Sequence, residues 1–355
     1  MSQPLVSVIV RSFNRVPSLC ELIERLLGQS WAPLEIVIVE QSTLVPEAAQ
    51  ERLRQLAADP RIVLLRRRPL GGAAARNVGV ERSRGEILLF IDDDDLPADE
   101  HWVANHVRAL EDPRCLGASG KHVQTDRPQQ HFTRLKAALT RTLSYEPFLK
   151  LSMTYVEHDF RRIPVAAIHG TNASLRRSAW ERFGGWDEDT AIEDEVSFCF
   201  RAMRLKRPDE YFAYDPRPTI LRDRDLSGGL GKRRMLISAF FGHYLDHVHR
   251  IIGRYHPVRV WSLYPLYIIA SYIVAVVNVA RHSRQYPTVL SQLAASLGLL
   301  VSLPVHVAAA LLRLIKPAAS IGRVRGACTP PPECIAPPLP TSAKVEERPN
   351  GLALS

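Results

Sequence analysis

Four consecutive carboxylates, Asp92, Asp93, Asp94 and Asp95, end the apolar run Ile87-Leu88-Leu89-Phe90-Ile91. Adjacent aspartates repel one another and have poor strand propensity, so packing gives no reason for them. A divalent cation such as Mg2+ or Mn2+ reverses that cost, because hard ions take carboxylate oxygens and leave positions for phosphate. The competing reading is an acidic loop capping a helix over residues 98–110. A second acidic position, Asp194, precedes Val196, Cys199, Phe200 and Met203, whose spacing marks the buried face of a helix with Arg201 and Arg204 outside it. Capping by a lone acidic residue is the alternative there.

These groups need a frame. Residues 5–10 form a short, almost wholly apolar run of the kind buried on both faces of a parallel sheet, and residues 34–39, 61–65 and 87–91 read as three further strands. Helical spacing separates them: Leu19, Leu22, Ile23, Leu26 and Leu27 after Pro17, then residues 46–58, then residues 76–81. Alternation of this kind predicts βαβ crossovers, with ligands at the carboxyl ends of the strands. The polar motifs fall at those ends: Ser12 to Arg15, Glu40 to Thr43, Gly71 to Asn77, and Asp92 to Asp95. Residues 117–165 have uneven periodicity and read as an acceptor-side loop or lid, with His122, His131 and His158 as surface or loop residues. Further on, Ser178 and Glu181 form a capping box for a short helix stopped by Gly184-Gly185.

A chain of 355 residues with 46% hydrophobic content can bury a real core. The formal net charge of +9 is unevenly spread: residues 217–259 hold nine Lys or Arg against three Asp. That placement points to a membrane surface and away from nucleic acid. Residues 260–280 then run without a formal charge, and after Arg281 and Arg284 so do residues 285–312. About twenty residues cross a hydrocarbon core, so two transmembrane helices over 260–316 are expected. Basic residues outside both ends place those ends in the cytoplasm. A pair of buried core helices, or a re-entrant hairpin, is the alternative. The five cysteines (Cys20, Cys115, Cys199, Cys328, Cys334) show no metal spacing and an odd count, which fits a reducing cytosol. The opening Met1-Ser2-Gln3-Pro4 lacks the regions of a signal peptide, so the first domain is expected on the side where it is made. Residues 317–355 read as a Pro-rich disordered tail.

Taken together, residues 6–204 resemble the family 2 glycosyltransferases, inverting enzymes of the GT-A fold. The matching pieces stand in order: Ser12-Phe13-Asn14-Arg15, the strand ending at Glu40, Gly71-Gly72-Ala73-Ala74-Ala75-Arg76-Asn77-Val78-Gly79, Phe90-Ile91-Asp92-Asp93-Asp94-Asp95, and Gly184-Gly185-Trp186-Asp187 followed by Glu193-Asp194. The resemblance implies an α/β GT-A domain over 1–225, Rossmann-like and mostly parallel, then a basic juxtamembrane segment over 226–259 and the hairpin. It implies that Asp92 and Asp94 hold a divalent metal on the nucleotide diphosphate and that Asp194 is the catalytic base. Ser12, Asn14, Arg15, Glu40, Arg76, Asn77 and Asp93 would form the donor-binding set, with Glu40 toward the base. Backbone N–H groups near Gly71 and Gly72 would approach the phosphates.

Three departures from the family pattern stand out. Glu40-Gln41 replaces the commoner Asp-Asp, Arg222 stands where many relatives have a metal-ligating His, and the Gln-x-x-Arg-Trp signature of processive synthases is absent. The expected function is transfer of one sugar from a nucleotide donor to an envelope glycan or lipid-linked acceptor, at the inner or plasma membrane, with the catalytic domain cytoplasmic. A nucleotidyltransferase and a catalytically silent sugar-nucleotide scaffold are the alternatives.

Overall fold

The computed structural model describes residues 3–124, 161–165, 167–188 and 194–222, with isolated positions between 288 and 308. Three strands carry the predicted parallel half: β1 (Val6–Ser12), β2 (Leu34–Glu40) and β3 (Ile62–Arg66), joined by α1 (Val16–Leu27) and α2 (Glu47–Leu56). Helix α3 (Gly72–Arg82) then leads into β4 (Ile87–Asp92), which pairs with β1 in parallel. Every residue of β2 is buried, as expected of a strand covered on both faces.

Side chains alternate across these strands and divide the core in two. Val8, Val10, Ile36, Ile38, Leu89 and Ile91 meet Leu19, Leu22, Ile23 and Leu26 of α1 on one face. Ile9, Val37, Leu88 and Phe90 face Trp186 and Phe198 on the other, with the rings of Phe90 and Trp186 edge to face at 5.1 Å. Each fully buried aliphatic or aromatic side chain contributes about 1.5–3 kcal/mol, so the α1 stripe alone fixes the helix to the sheet.

Beyond β4 the sheet departs from the mostly parallel expectation. Following β5 (Asp95–Pro97) and α4 (Trp102–Ala109) come β6 (Cys115–Gln124), β7 (Ile163–Val165), β8 (Ala173–Arg176), α5 (Arg177–Phe183), α6 (Asp194–Leu205) and β9 (Tyr211–Arg222). The strand order is β3-β2-β1-β4-β8-β6-β9-β5, with β7 against β9. Strand β8 runs antiparallel to both β4 and β6, and β9 is antiparallel to β5 and β7 but parallel to β6. The sheet is therefore mixed.

Strand β6 replaces part of the predicted loop. Its glycines hid it: a Cβ on Gly117 would lie 2.7 Å from the Ser174 carbonyl oxygen, and one on Gly120 would lie 2.1 Å from that of Pro218. Close backbone approach demands small residues here, and they erase the alternation that marks a strand. His122 accordingly lies on a strand, its ring 4.6 Å from that of His169, and is not a free loop residue. His131 and His158 lie outside the described residues.

Two further expectations change. Helix α5 begins at Arg177, ahead of Ser178, and has no side-chain cap, so the capping box does not form. Arg201, assigned to solvent, is 4% exposed. Its guanidinium donates to the carbonyls of Phe183, Gly184 and Gly185 and to Asp187, closing the end of α5 where Gly184 takes a φ of 74°. Carbonyls left over at a helix end supply the acceptors.

Under β6 and β8, Asn172 is fully buried with a φ of 50°. Its amide donates to the carbonyls of Lys121 and Pro218, while its Oδ1 accepts from Trp102 Nε1 at 2.8 Å and lies 3.1 Å from His106 Nε2. Burial pushes the imidazole of His106 down to about 4, against the opposing bond to Asn172. An unfolded histidine titrates near 6.5, so between those values the unfolded chain binds more protons and acid destabilises the fold. Acidification across that window is expected to remove about 3 kcal/mol at this group. Urea midpoints measured from pH 7 to pH 5 should fall, and His106→Gln should make the fall shallower, the remainder coming from the buried His122 and His169, which burial also lowers. An unchanged slope in the variant would refute the assignment.

Of the predicted hairpin over 260–316 only isolated positions are described, and residues 226–259 and 317–355 lie outside the described residues. Among the described residues no helix is long and apolar enough to cross a membrane.

Candidate active site

Parallel register brings the strand-end motifs together, setting Arg11 of β1 opposite Asp92 of β4 and Ser12 opposite Glu40 of β2. Arg11 grips Asp92 twice, from Nε to Oδ1 at 2.8 Å and from Nη2 to Oδ2 at 3.0 Å. Arg76 of α3 donates from Nη2 to the same carboxylate at 3.3 Å and from Nη1 to Asp194 Oδ2 at 2.7 Å. Its guanidinium thus ties the aspartate run to the first residue of α6. Burial opposes ionisation of Asp92, but Arg11 and Arg76 outweigh it and hold the carboxyl well below the usual range.

The other three aspartates differ in their surroundings. Asp93 turns inward, accepting from Ser12 Oγ at 2.8 Å, the Phe13 N–H at 3.2 Å and Arg15 Nη1 at 3.0 Å. Burial pushes it up to about 6 despite Arg15 and Ser12. Asp94 sits at the rim, 2.8 Å from Arg15 Nη1. Asp95 is fully buried and receives Arg222 through Nε at 2.6 Å and Nη2 at 2.7 Å. Register makes that pair, since Asp95 of β5 stands opposite Arg222 of β9. Thr171 Oγ1 donates to Asp95 at 2.8 Å and accepts the Asp92 N–H at 3.0 Å.

Carboxylate oxygens of Asp92, Asp94 and Asp95 lie within 4.8 Å of one another, an all-oxygen set that suits a hard divalent cation. Both oxygens of Asp95 already serve Arg222, and one of them Thr171 as well. Asp92 and Asp94 are the partly exposed pair, at 17% and 23% of their side chains.

The remaining residues of the expected donor-binding set knit loops. Asn14, in a left-handed conformation with φ 56°, donates its N–H to Ser42 Oγ at 2.7 Å and accepts the Thr43 N–H at 2.9 Å. Glu40 is buried and accepts the Ser42 N–H at 2.6 Å, and Gln41 accepts the Leu70 N–H at 2.7 Å. Asn77 faces the other way: it donates to the Trp186 carbonyl and to Glu188, each at 2.9 Å, and accepts the Trp186 N–H at 2.8 Å. It thus fastens residues 186–188. Glu193 lies outside the described residues. Asp194 is 7% exposed, and next to it burial, then the charge of Asp194, pushes the Glu195 carboxyl up to about 8.

The profile of glycosyl transferase family 2 matches residues 7–184, half of the chain. The chain belongs to that family. A glycosyltransferase of Bacillus subtilis, YwdF, is 35% identical over 92 residues, covering 25% of this chain and 32% of its own length. The O-antigen biosynthesis protein RfbC of Myxococcus xanthus is 27% identical over 191 residues, covering 52% of this chain and 15% of its own length. The chain therefore spans about a third or less of either relative. Among solved structures, a mannosyltransferase from Pyrobaculum calidifontis in complex with GDP-Man and Mn2+ superposes with a TM-score of 0.51 at 18% identity, over 90% of this chain and 89% of that one. That likeness is one of fold, a GT-A-like mixed sheet with flanking helices.

In this family 2 chain the structure adds two residues to those expected from sequence. Arg11 falls between the apolar run of residues 5–10 and the Ser12 to Arg15 motif, although a lone arginine at the carboxyl end of a buried parallel strand is itself a signal. Thr171, between Gly170 and Asn172, carried none. Arg222, which stands where many relatives have a metal-ligating His, holds Asp95.

Proposed function

We propose that this family 2 chain transfers a single sugar, with inversion, from a nucleoside diphosphate sugar to a hydroxyl of an envelope glycan or lipid-linked acceptor. The observation that carries the reading is the double engagement of Arg76, which brings Asp194 and the metal-suited Asp92 onto one guanidinium. A cation-binding strand end and a nearby carboxylate at a helix start are what displacement at an anomeric carbon asks for. Support for the donor comes from the GDP-Man and Mn2+ of the Pyrobaculum mannosyltransferase. The named role of the Myxococcus relative in O-antigen biosynthesis supports a polysaccharide product.

Asp92 and Asp94 would hold a divalent cation, Mg2+ or Mn2+, which when bound supplies Lewis-acid neutralisation of the leaving diphosphate. Asp194 takes the proton of the acceptor hydroxyl as that oxygen bonds to the anomeric carbon. The bond from this carbon to the diphosphate oxygen breaks on the opposite face, and the nucleoside diphosphate leaves. Burial and the neighbouring charge of Asp194 raise the Glu195 carboxyl, which favours its protonated form. Asn77 fastens Trp186 and Glu188, and Arg201 ties α6, which Asp194 opens, to residues 183–187, while Asn14, Glu40 and Ser42 shape the donor loops. Residues 260–316 would anchor the domain to the cytoplasmic face of the inner or plasma membrane, consistent with their uncharged runs and basic flanks.

Purified chain incubated with a panel of sugar nucleotides and lipid-linked acceptors is expected to release free nucleoside diphosphate and form a linkage of inverted anomeric configuration. Pyrophosphate release would instead mark nucleotidyl transfer. Absence of turnover across the panel would leave a scaffold.

A further inference from the structure

Two cations hold Asp92, and they are not equivalent. Arg76 is 4% exposed and shared with Asp194, and it lies 5.9 Å from the Trp186 ring. The Arg11 side chain is 32% exposed, and among the described residues its hydrogen bonds go to Asp92 alone. Its guanidinium lies across Gly72, where an added Cβ would stand 1.9 Å from Nη1. Gly72 opens α3 and Gly71 precedes it with a φ of 94°. Arg11 thus fills the space between the start of an eleven-residue helix and a carboxylate suited to a divalent cation.

A cation approaching Asp92 must compete with Arg11 for the same two oxygens. A guanidinium that gives up a carboxylate needs another planar anion, and phosphate matches its fork as well as carboxylate does. The amino end of a helix favours an anion in the same place, since its first N–H groups lack partners within the helix. We propose that Arg11 is an exchangeable counter-ion, paired with Asp92 in the free chain and passed to the donor diphosphate when a divalent cation takes Asp92. Cation and nucleoside diphosphate then bind with positive coupling through this one side chain, a positioning residue for both. The proposal rests on the donor and metal reading given above.

Free Mn2+ followed by electron paramagnetic resonance, with UDP and GDP as the diphosphate probes, tests it on the full chain. In the wild type one of the diphosphates is expected to tighten Mn2+ binding about tenfold or more, within the usual range of coupling between two ligands. R11Q removes the competing cation, so Mn2+ alone should bind about tenfold more tightly and the coupling should shrink by a similar factor. G72A keeps every charge but forces the guanidinium aside, and should move both quantities in the same direction. An arginine that only binds phosphate would weaken UDP or GDP and leave the affinity for Mn2+ alone unchanged, which would overturn the proposal. Tightening in R11Q without tightening in G72A would also overturn it, as a bulk charge effect. If neither diphosphate binds the wild type in the presence of Mn2+, the donor reading fails and takes the proposal with it. If one binds while both variants leave the coupling untouched, the proposal alone fails. Thermal melts of both variants report that the fold persists.

Discussion

Asp194→Asn is expected to slow sugar transfer by about 100- to 10,000-fold, the usual share of a positioned general base. Donor binding should change only a few-fold. The substitution is isosteric, and the Asn oxygen can still accept from Arg76 Nη1, which sits 2.7 Å from Asp194 Oδ2. Arg76 also keeps its second partner, Asp92. The fold therefore has little reason to change, and what disappears is the capacity to take a proton. A loss in kcat with donor affinity preserved separates this role from a binding role. Near-wild-type turnover in a folded Asp194→Asn chain would remove the base assignment.

Asp94→Ala is the second large effect. Loss of a metal ligand takes several kcal/mol from the stabilisation of a leaving diphosphate, so a fall of about 100-fold or more in turnover is expected. Donor binding should also lose its dependence on Mg2+ or Mn2+, as calorimetry with and without EDTA would show. Asp94 is the informative position because it stands at the rim and its partner Arg15 retains Asp93 at 3.0 Å. Replacing Asp92 would be less clean, since it strips a shared anion from Arg11 and the buried Arg76. Unpairing a buried charge costs about 3–5 kcal/mol in stability by itself. Donor binding indifferent both to EDTA and to Asp94→Ala would end the metal reading.

The parallel half of the fold was legible because β1, β2 and β4 are buried on both faces and wear that fact as apolar runs, broken only by Ser7 and Glu35, which bond each other, before the polar strand ends. The strand-end site was legible for the same reason: in a parallel sheet, polar residues just past such runs have one place to go. The antiparallel half was not. Strand β6 meets β8 and β9 so closely that glycine and serine replace the alternating large residues on which pattern reading depends. Arg201 misled because a guanidinium on a helix normally reaches water, whereas here three carbonyls and Asp187 take its place. Asn77 lies beside Arg76 in sequence, yet its amide is spent on the Trp186 backbone, a contact across 109 residues that no local pattern encodes.

The pairing of Asp95 with Arg222 spans 127 positions along the chain. During synthesis Asp95 leaves the ribosome long before its counter-ion exists, and the sheet that will enclose it cannot close without a charge left stranded. A fragment cut where the family match stops, at residue 184, would lack Asp194 and would leave Asp95 with Thr171 but without its counter-ion Arg222. A fragment running to the end of β9 keeps both Thr171 and Arg222 on Asp95 and is expected to be the more stable of the two.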